Sequence, residues 1–195
     1  MNIPTARPSY IVGVGGSAGA LNAYKALLGA LTVDTGMAFV IVSHLNPDAH
    51  SQLAMILSWC TTMPTVVAES GMQIRANHVY VIPTNADLEI EDYTLEVISP
   101  RSRRNAQIDL FFASLAAAMG KYAIGIVLSG YAHDGMVGVE CIKDKGGTTF
   151  AQDSSAEVAS MPTSAQASGH VDFVLAPEKI AEALMQIASR GVGSE

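Results

Sequence analysis

Apolar and polar positions follow two rhythms along this chain. Short apolar runs rich in β-branched residues recur at 9–14 (SYIVGV), 37–42 (MAFVIV), 65–68 (TVVA), 123–128 (AIGIVL), 148–152 (TTFAQ) and 171–175 (VDFVL). Runs this short, bounded by turn signals, predict buried strands. Between them, at 18–31, 51–60, 105–119, 137–145, 162–168 and 177–190, apolar residues return every third or fourth position. That spacing predicts helices with one buried face. The helix at 137–145 stops at Gly146-Gly147, as helices often stop at glycine, and the one at 162–168 opens on proline, a favoured first helical residue. The stretch 78–98 changes character. HVYVIP at 78–83, LEIE at 88–91 and TLEVI at 94–98 read as short strands, with Glu91-Asp92-Tyr93 as a hairpin turn. They predict an antiparallel insertion at the edge of the sheet. Residues 191–195 are expected to form a loose tail.

Strands alternating with helices predict an α/β fold: a doubly wound, mostly parallel sheet with helices on both faces and a small antiparallel hairpin insertion. The 195 residues fit a single domain spanning 1–195 with its core at about 9–190. A hydrophobic share of 49% against 15% charged residues implies a filled interior and argues against disorder. No apolar run reaches the roughly 18 residues needed to cross a bilayer, and the first ten residues lack a leader's apolar stretch. These patterns predict no membrane insertion and a cytoplasmic location. The net charge of −7 disfavours nucleic acid as a partner. The one basic cluster, Arg101, Arg103 and Arg104, reads either as a solvated loop or as a contact for an acidic protein substrate. Cys60 and Cys141 stand in no CxxC pattern and read as small buried hydrophobes in a reducing compartment.

In parallel α/β sheets, ligands sit beyond the carboxyl ends of the strands. The residues there are Gly15-Gly16-Ser17, Ser43-His44-Leu45 and the stretch from Ser129 to Asp134. Gly15-Gly16-Ser17-Ala18-Gly19 fits G-x-S-x-G between a strand and a helix, a turn that projects a serine hydroxyl over the sheet end. The N–H of Ala18 would be a first donor to a developing oxyanion. The same letters fit a loose dinucleotide fingerprint, Gly13-x-Gly15-x-x-Ala18, and also a glycine turn that only packs a helix on a strand. The fingerprint expects an acid at the end of the second strand to hold a ribose, and His44 stands there instead. Serine is a weak nucleophile without a base, and strand ends about 4.8 Å apart bring His44 within plausible reach of Ser17. Asp134 reads either as an N-cap for the helix starting near Met136 or as the carboxylate that orients the histidine. The chain order Ser, His, Asp differs from the Ser, Asp, His of standard α/β-hydrolases.

Taken together, VGVGGSAGAL, VIVSHLNPDAHSQL, HVYVIPTNADL, IVLSGYAHDGMVGV and GGTTFAQDSSAEVASMP resemble the catalytic domain of the CheB-type chemoreceptor methylesterases, from about Tyr10 to Leu184. The resemblance implies hydrolysis of glutamate γ-methyl esters on chemoreceptors, with release of methanol, and often deamidation of glutamine. It implies Ser17 as nucleophile, His44 as triad histidine and Asp134 as triad aspartate, with Ala18 and Tyr131 at the oxyanion and substrate edge. It implies no metal and no cofactor. The implied partner is the cytoplasmic domain of a methylated chemoreceptor or another methyl-esterified protein, with a methyltransferase or other signalling module as a further one. Several positions depart from the family pattern. Ala18 stands where threonine is common, Tyr131 where methionine is usual and His133 where asparagine or serine is usual. Thr84-Asn85-Ala86-Asp87 lacks a histidine found near Ala86, and the chain leaves no room for the receiver domain of full-length members. A non-catalytic interaction module of the same fold and a dinucleotide-binding enzyme are the rival readings.

Overall fold

Seven strands form one sheet in the order β10-β9-β8-β1-β2-β5-β3, and every neighbouring pair in it is parallel. The computed structural model describes residues 6–45 and 52–191. In chain order the sheet's strands are β1 (Ile11–Gly16), β2 (Ala38–Ser43), β3 (Thr65–Val67), β5 (Val79–Val81), β8 (Ala123–Val127), β9 (Thr148–Gln152) and β10 (Phe173–Leu175). The helices are α1 (Ala20–Ala30), α2 (Leu53–Ser58), α3 (Gln107–Met119), α4 (Met136–Asp144), α5 (Ser160–Ala167) and α6 (Pro177–Gly191).

β1, β2 and β8 are buried along their whole length. This explains why they read as unbroken apolar runs: both faces are covered. The pleat sends alternate residues to opposite sides. Val12, Val14, Phe39, Ile41, Ile124 and Ile126 meet Tyr24, Leu27 and Leu28 of α1 and Ile180 and Leu184 of α6. Ile11, Val40, Val42 and Val127 meet Ile108, Phe111, Phe112 and Leu115 of α3 and Val139 and Ile142 of α4. The predicted doubly wound architecture therefore holds, and no helix among the described residues is long and apolar enough to cross a membrane. Cys60 and Cys141 are unbridged and only half-buried, not fully buried as expected.

The insertion differs from its expectation in one strand. Residues 79–81 belong to the main sheet, where β5 runs parallel to both β2 and β3. The antiparallel part is a separate three-stranded sheet, β4 (Met72–Gln73), β7 (Thr94–Ile98) and β6 (Asp87–Glu91), in the order β4-β7-β6. Val79, Tyr80 and Val81 are all buried, whereas β6 alternates buried and exposed residues after its start. The continuous apolar run was thus the mark of a two-sided burial that the hairpin strands lack. The hairpin turn falls at Asp92 and Tyr93, both at positive φ (41° and 60°), the backbone that a two-residue turn between right-twisted strands requires. The Arg7 guanidinium lies 4.7 Å over the Tyr93 ring.

Candidate active site

β1 has β2 on one side and β8 on the other, so the chain reverses its direction of sheet growth at β1. Crevices in doubly wound sheets open at such switch points, beyond the carboxyl ends of the strands. β1 and β2 are in register with Gly16 opposite Ser43. The next residue of each, Ser17 and His44, therefore leaves the sheet beside the other, with strands about 4.8 Å apart. On the far side the chain beyond β8 stays bonded to the turn: Leu128 N–H donates to the Gly15 carbonyl (2.8 Å) and Ser17 N–H to the Ser129 carbonyl (2.9 Å).

The turn carrying Ser17 is shaped by two glycines. Gly19, the residue before α1, has φ 72°, in the left-handed region that glycine occupies without penalty. A Cβ there would also lie 2.8 Å from both Glu157 Cβ and Ser129 Oγ. At Gly130 a Cβ would lie 2.6 Å from Met161 Cε and 3.1 Å from Ser17 Cβ. Ser129, wholly buried, clamps the turn. Its hydroxyl donates to the Ala18 carbonyl (2.9 Å) and accepts from Val158 N–H (2.9 Å), while its own N–H donates to Gln152 Oε1 (2.9 Å). Among the described residues, neither the Ser17 hydroxyl nor the N–H groups of Ala18 and Tyr131 make a hydrogen bond within the protein.

His44 Nε2 lies 2.5 Å from Asp134 Oδ2. Asp134 is 3% exposed, and burying a carboxylate costs several kcal/mol unless donors surround it. The donors come from α3: Ile108 N–H bonds Oδ2 (3.1 Å) and Asp109 N–H bonds Oδ1 (2.9 Å). The positive end of the α3 dipole favours a negative charge at that place. Asp134 therefore does cap a helix, but not α4, which the sequence suggested. The residue before α4 is Gly135, and α4 takes its carboxylate from α3: Asp109 Oδ1 accepts from Gly135 N–H (2.9 Å) and Gly138 N–H (2.7 Å). Each aspartate caps the other's helix. Burial, together with the Asp134 charge and against the bonds from Gly138 and Gly135, pushes the Asp109 carboxyl up to about 6.

An ionised carboxylate can only accept, so the hydrogen in the 2.5 Å contact sits on His44 Nε2. A neutral ring then keeps Nδ1 as its basic nitrogen, free to take a proton from a hydroxyl. Tyr131 is 66% exposed. His133 points elsewhere, to Ser164 Oγ (2.7 Å). The arginine segment runs directly into α3, whose first turn binds Asp134. Its backbone is pinned by buried Asp87, which accepts from Ser102 N–H and Oγ (2.6 Å each) and from Gln107 Nε2 (3.0 Å). Arg103 and Arg104 are exposed, and among the described residues neither is in an ion pair. Gln152 and Asp109 carried no signal in the sequence, because each acts through a partner far away along the chain.

The comparisons bear on the family and the fold. The family model described as CheB methylesterase matches residues 12–184. A Leptospira interrogans protein named as a candidate protein-glutamate methylesterase/protein-glutamine glutaminase is 35% identical over 178 residues, covering 89% of this chain and 92% of that protein. A Burkholderia pseudomallei protein-glutamate methylesterase/protein-glutamine glutaminase is 32% identical over 184 residues, which are 92% of this chain and 54% of that one. The chain thus spans about half of this longer relative. The crystal structure of the Thermotoga maritima CheB methylesterase catalytic domain superposes with a TM-score of 0.83 at 26% identity, covering 91% of this chain and 98% of that one. With its model matched across nearly the whole described fold, the chain belongs to the CheB methylesterase family.

Proposed function

We propose that the protein is a protein-glutamate methylesterase acting on the cytoplasmic domain of a methylated chemoreceptor, with Ser17, His44 and Asp134 as its catalytic triad. The observation that carries this reading is the His44–Asp134 contact at the strand end next to Ser17. Ser17 Oγ attacks the ester carbonyl while His44 Nδ1 takes its proton. Asp134 holds the ring and stabilises the imidazolium. The tetrahedral oxyanion is met by the N–H groups of Ala18 and Tyr131; one such donor contributes about 3 kcal/mol to lowering the barrier. Methanol leaves with the proton from His44, and a water activated by the same nitrogen frees the glutamate carboxylate and Ser17. The same path on a glutamine side chain releases ammonia. Arg103 and Arg104, exposed in the segment that leads into α3, meet acidic residues beside the esterified glutamate.

The test is methanol release from methylated chemoreceptor membranes by the wild-type chain and by Ser17→Ala. Release that depends on Ser17 is expected. Release at an equal rate from both would refute the triad, and none from either, with a known active esterase as control, would refute this substrate.

A further inference from the structure

The crossed caps of α3 and α4 tie the candidate triad to a residue outside it. Asp134 reaches out of the segment before α4 and takes N–H groups from the first turn of α3. Asp109, in that first turn, reaches back and takes N–H groups on both sides of the α4 start. The segment carrying Asp134 is therefore held at both ends of one short loop of hydrogen bonds: by its own carboxylate on α3, and by the Asp109 carboxylate on Gly135, the residue immediately after Asp134. The other bonds of the segment lie before Asp134, from Gly130 to Val158, Met161 and Ser160 and from His133 to Ser164, or close its own turn, from Met136 N–H to the His133 carbonyl. Ala132 has φ 70° and Gly135 has φ 95°, so the backbone on either side of Asp134 is in the left-handed region, which an alanine adopts only at a cost. The carboxylate of Asp109 bonds the N–H of one of these two residues, Gly135.

We propose that Asp109 is a positioning residue for the hydrolysis: by capping α4 from α3 it fixes the segment that bears Asp134, and through Asp134 it sets the orientation and tautomer of the His44 ring. This inference rests on the catalytic reading of Ser17, His44 and Asp134 given above. The groups that bear on Asp109 are Asp134 across the junction, with His44 behind it, and Cys141 from α4, whose thiol is raised by its own burial and then by Glu140, Asp109 and Asp144. A misplacement of about 1 Å in a catalytic group costs about a hundredfold in rate, so a residue that never touches substrate can act on kcat in this way.

Two variants separate the role from mere folding. Asp109→Asn keeps an amide oxygen for Gly135 and Gly138 and removes the charge. Asp109→Ala removes the cap. The first readout is the nuclear magnetic resonance signal of the His44 ring, whose Nε2 proton is expected far downfield in the wild type and in Asp109→Asn, and lost or broadened in Asp109→Ala. It requires no turnover, so it decides the positioning claim even if the substrate assignment fails. The second is ester hydrolysis. Asp109→Ala should lose roughly ten- to a hundredfold in kcat with KM nearly unchanged, and Asp109→Asn should recover most of it. An unchanged His44 signal and unchanged kcat in a folded Asp109→Ala protein would overturn the proposal, as would an Asp109→Asn variant that behaves like Asp109→Ala in both readouts.

Discussion

Replacing Asp134 by asparagine tests the tautomer argument most directly, because the surroundings of Asp134 predict how the amide must compromise. Oδ2 accepts from His44 Nε2 and Ile108 N–H, and Oδ1 from Asp109 N–H. An asparagine has one acceptor oxygen. With that oxygen toward His44 and Ile108, its NH2 faces the Asp109 N–H. With the oxygen toward Asp109, its NH2 faces Ile108 and donates to His44 Nε2, which forces the ring hydrogen onto Nδ1 and removes the base proposed for Ser17. Each orientation leaves one helix N–H without an acceptor, so neither is strongly preferred, and a share of the molecules carries the wrong tautomer. The remainder still lose the carboxylate charge that supports the imidazolium, and a charge-assisted bond contributes about 1.5–3 kcal/mol. A twofold loss of competent molecules adds about 0.4 kcal/mol. Together these predict a fall in kcat of roughly 30- to 300-fold with KM nearly unchanged. The unpaired N–H costs stability about 1–3 kcal/mol, offset in part because a neutral amide is cheaper to bury than a carboxylate. The assay is steady-state methanol release at several pH values, with a denaturant midpoint to establish the fold. A folded Asp134→Asn protein within about threefold of the wild-type kcat would refute the reasoning.

Other predictions follow from the same geometry. The Asp109 carboxyl is raised from 3.8 to about 6, with burial as the largest cause, so the native state takes up a proton between about pH 6 and pH 4 that the unfolded chain does not. The contribution of this group to stability therefore rises as pH falls through that window, and the wild type should gain on Asp109→Asn in denaturant midpoint from pH 7 to pH 4; a pH-independent gap would count against it. Gly130→Ala puts a methyl group against Met161 and Ser17 and should cost about 1–3 kcal/mol, as overpacking does, while slowing the reaction of Ser17 with a serine-directed phosphonate; wild-type labelling in the variant would show that the turn has room. Charge reversal at Arg103 and Arg104 should raise KM on receptor membranes and weaken its salt dependence while leaving kcat in place. An unchanged KM would return the two arginines to the status of a solvated loop.

Much of this protein was legible in its sequence because burial leaves a local mark. Strands covered on both faces read as continuous apolar runs, as in 123–128, and helices with one buried face as a three-to-four spacing, as in 107–119. The strand-end rule then led to Ser17, His44 and the stretch ending at Asp134 without any knowledge of which strands were neighbours. Strand order, register and reciprocal contacts were decided only by the tertiary structure. The run at 78–83 was apolar enough to be a strand, but whether it joined the parallel sheet or the hairpin depended on β2 and β3 lying on either side of it. Asp134 read equally well as a cap for the helix that follows it, because a helix start looks the same in sequence whichever helix the side chain turns to. Only the packing of α3 against α4 settled that Asp134 caps one helix while Asp109, 25 residues earlier, caps the other. A hydrogen bond between groups so far apart along the chain leaves no periodicity to read, because its partner is chosen by the fold and not by the neighbouring residues.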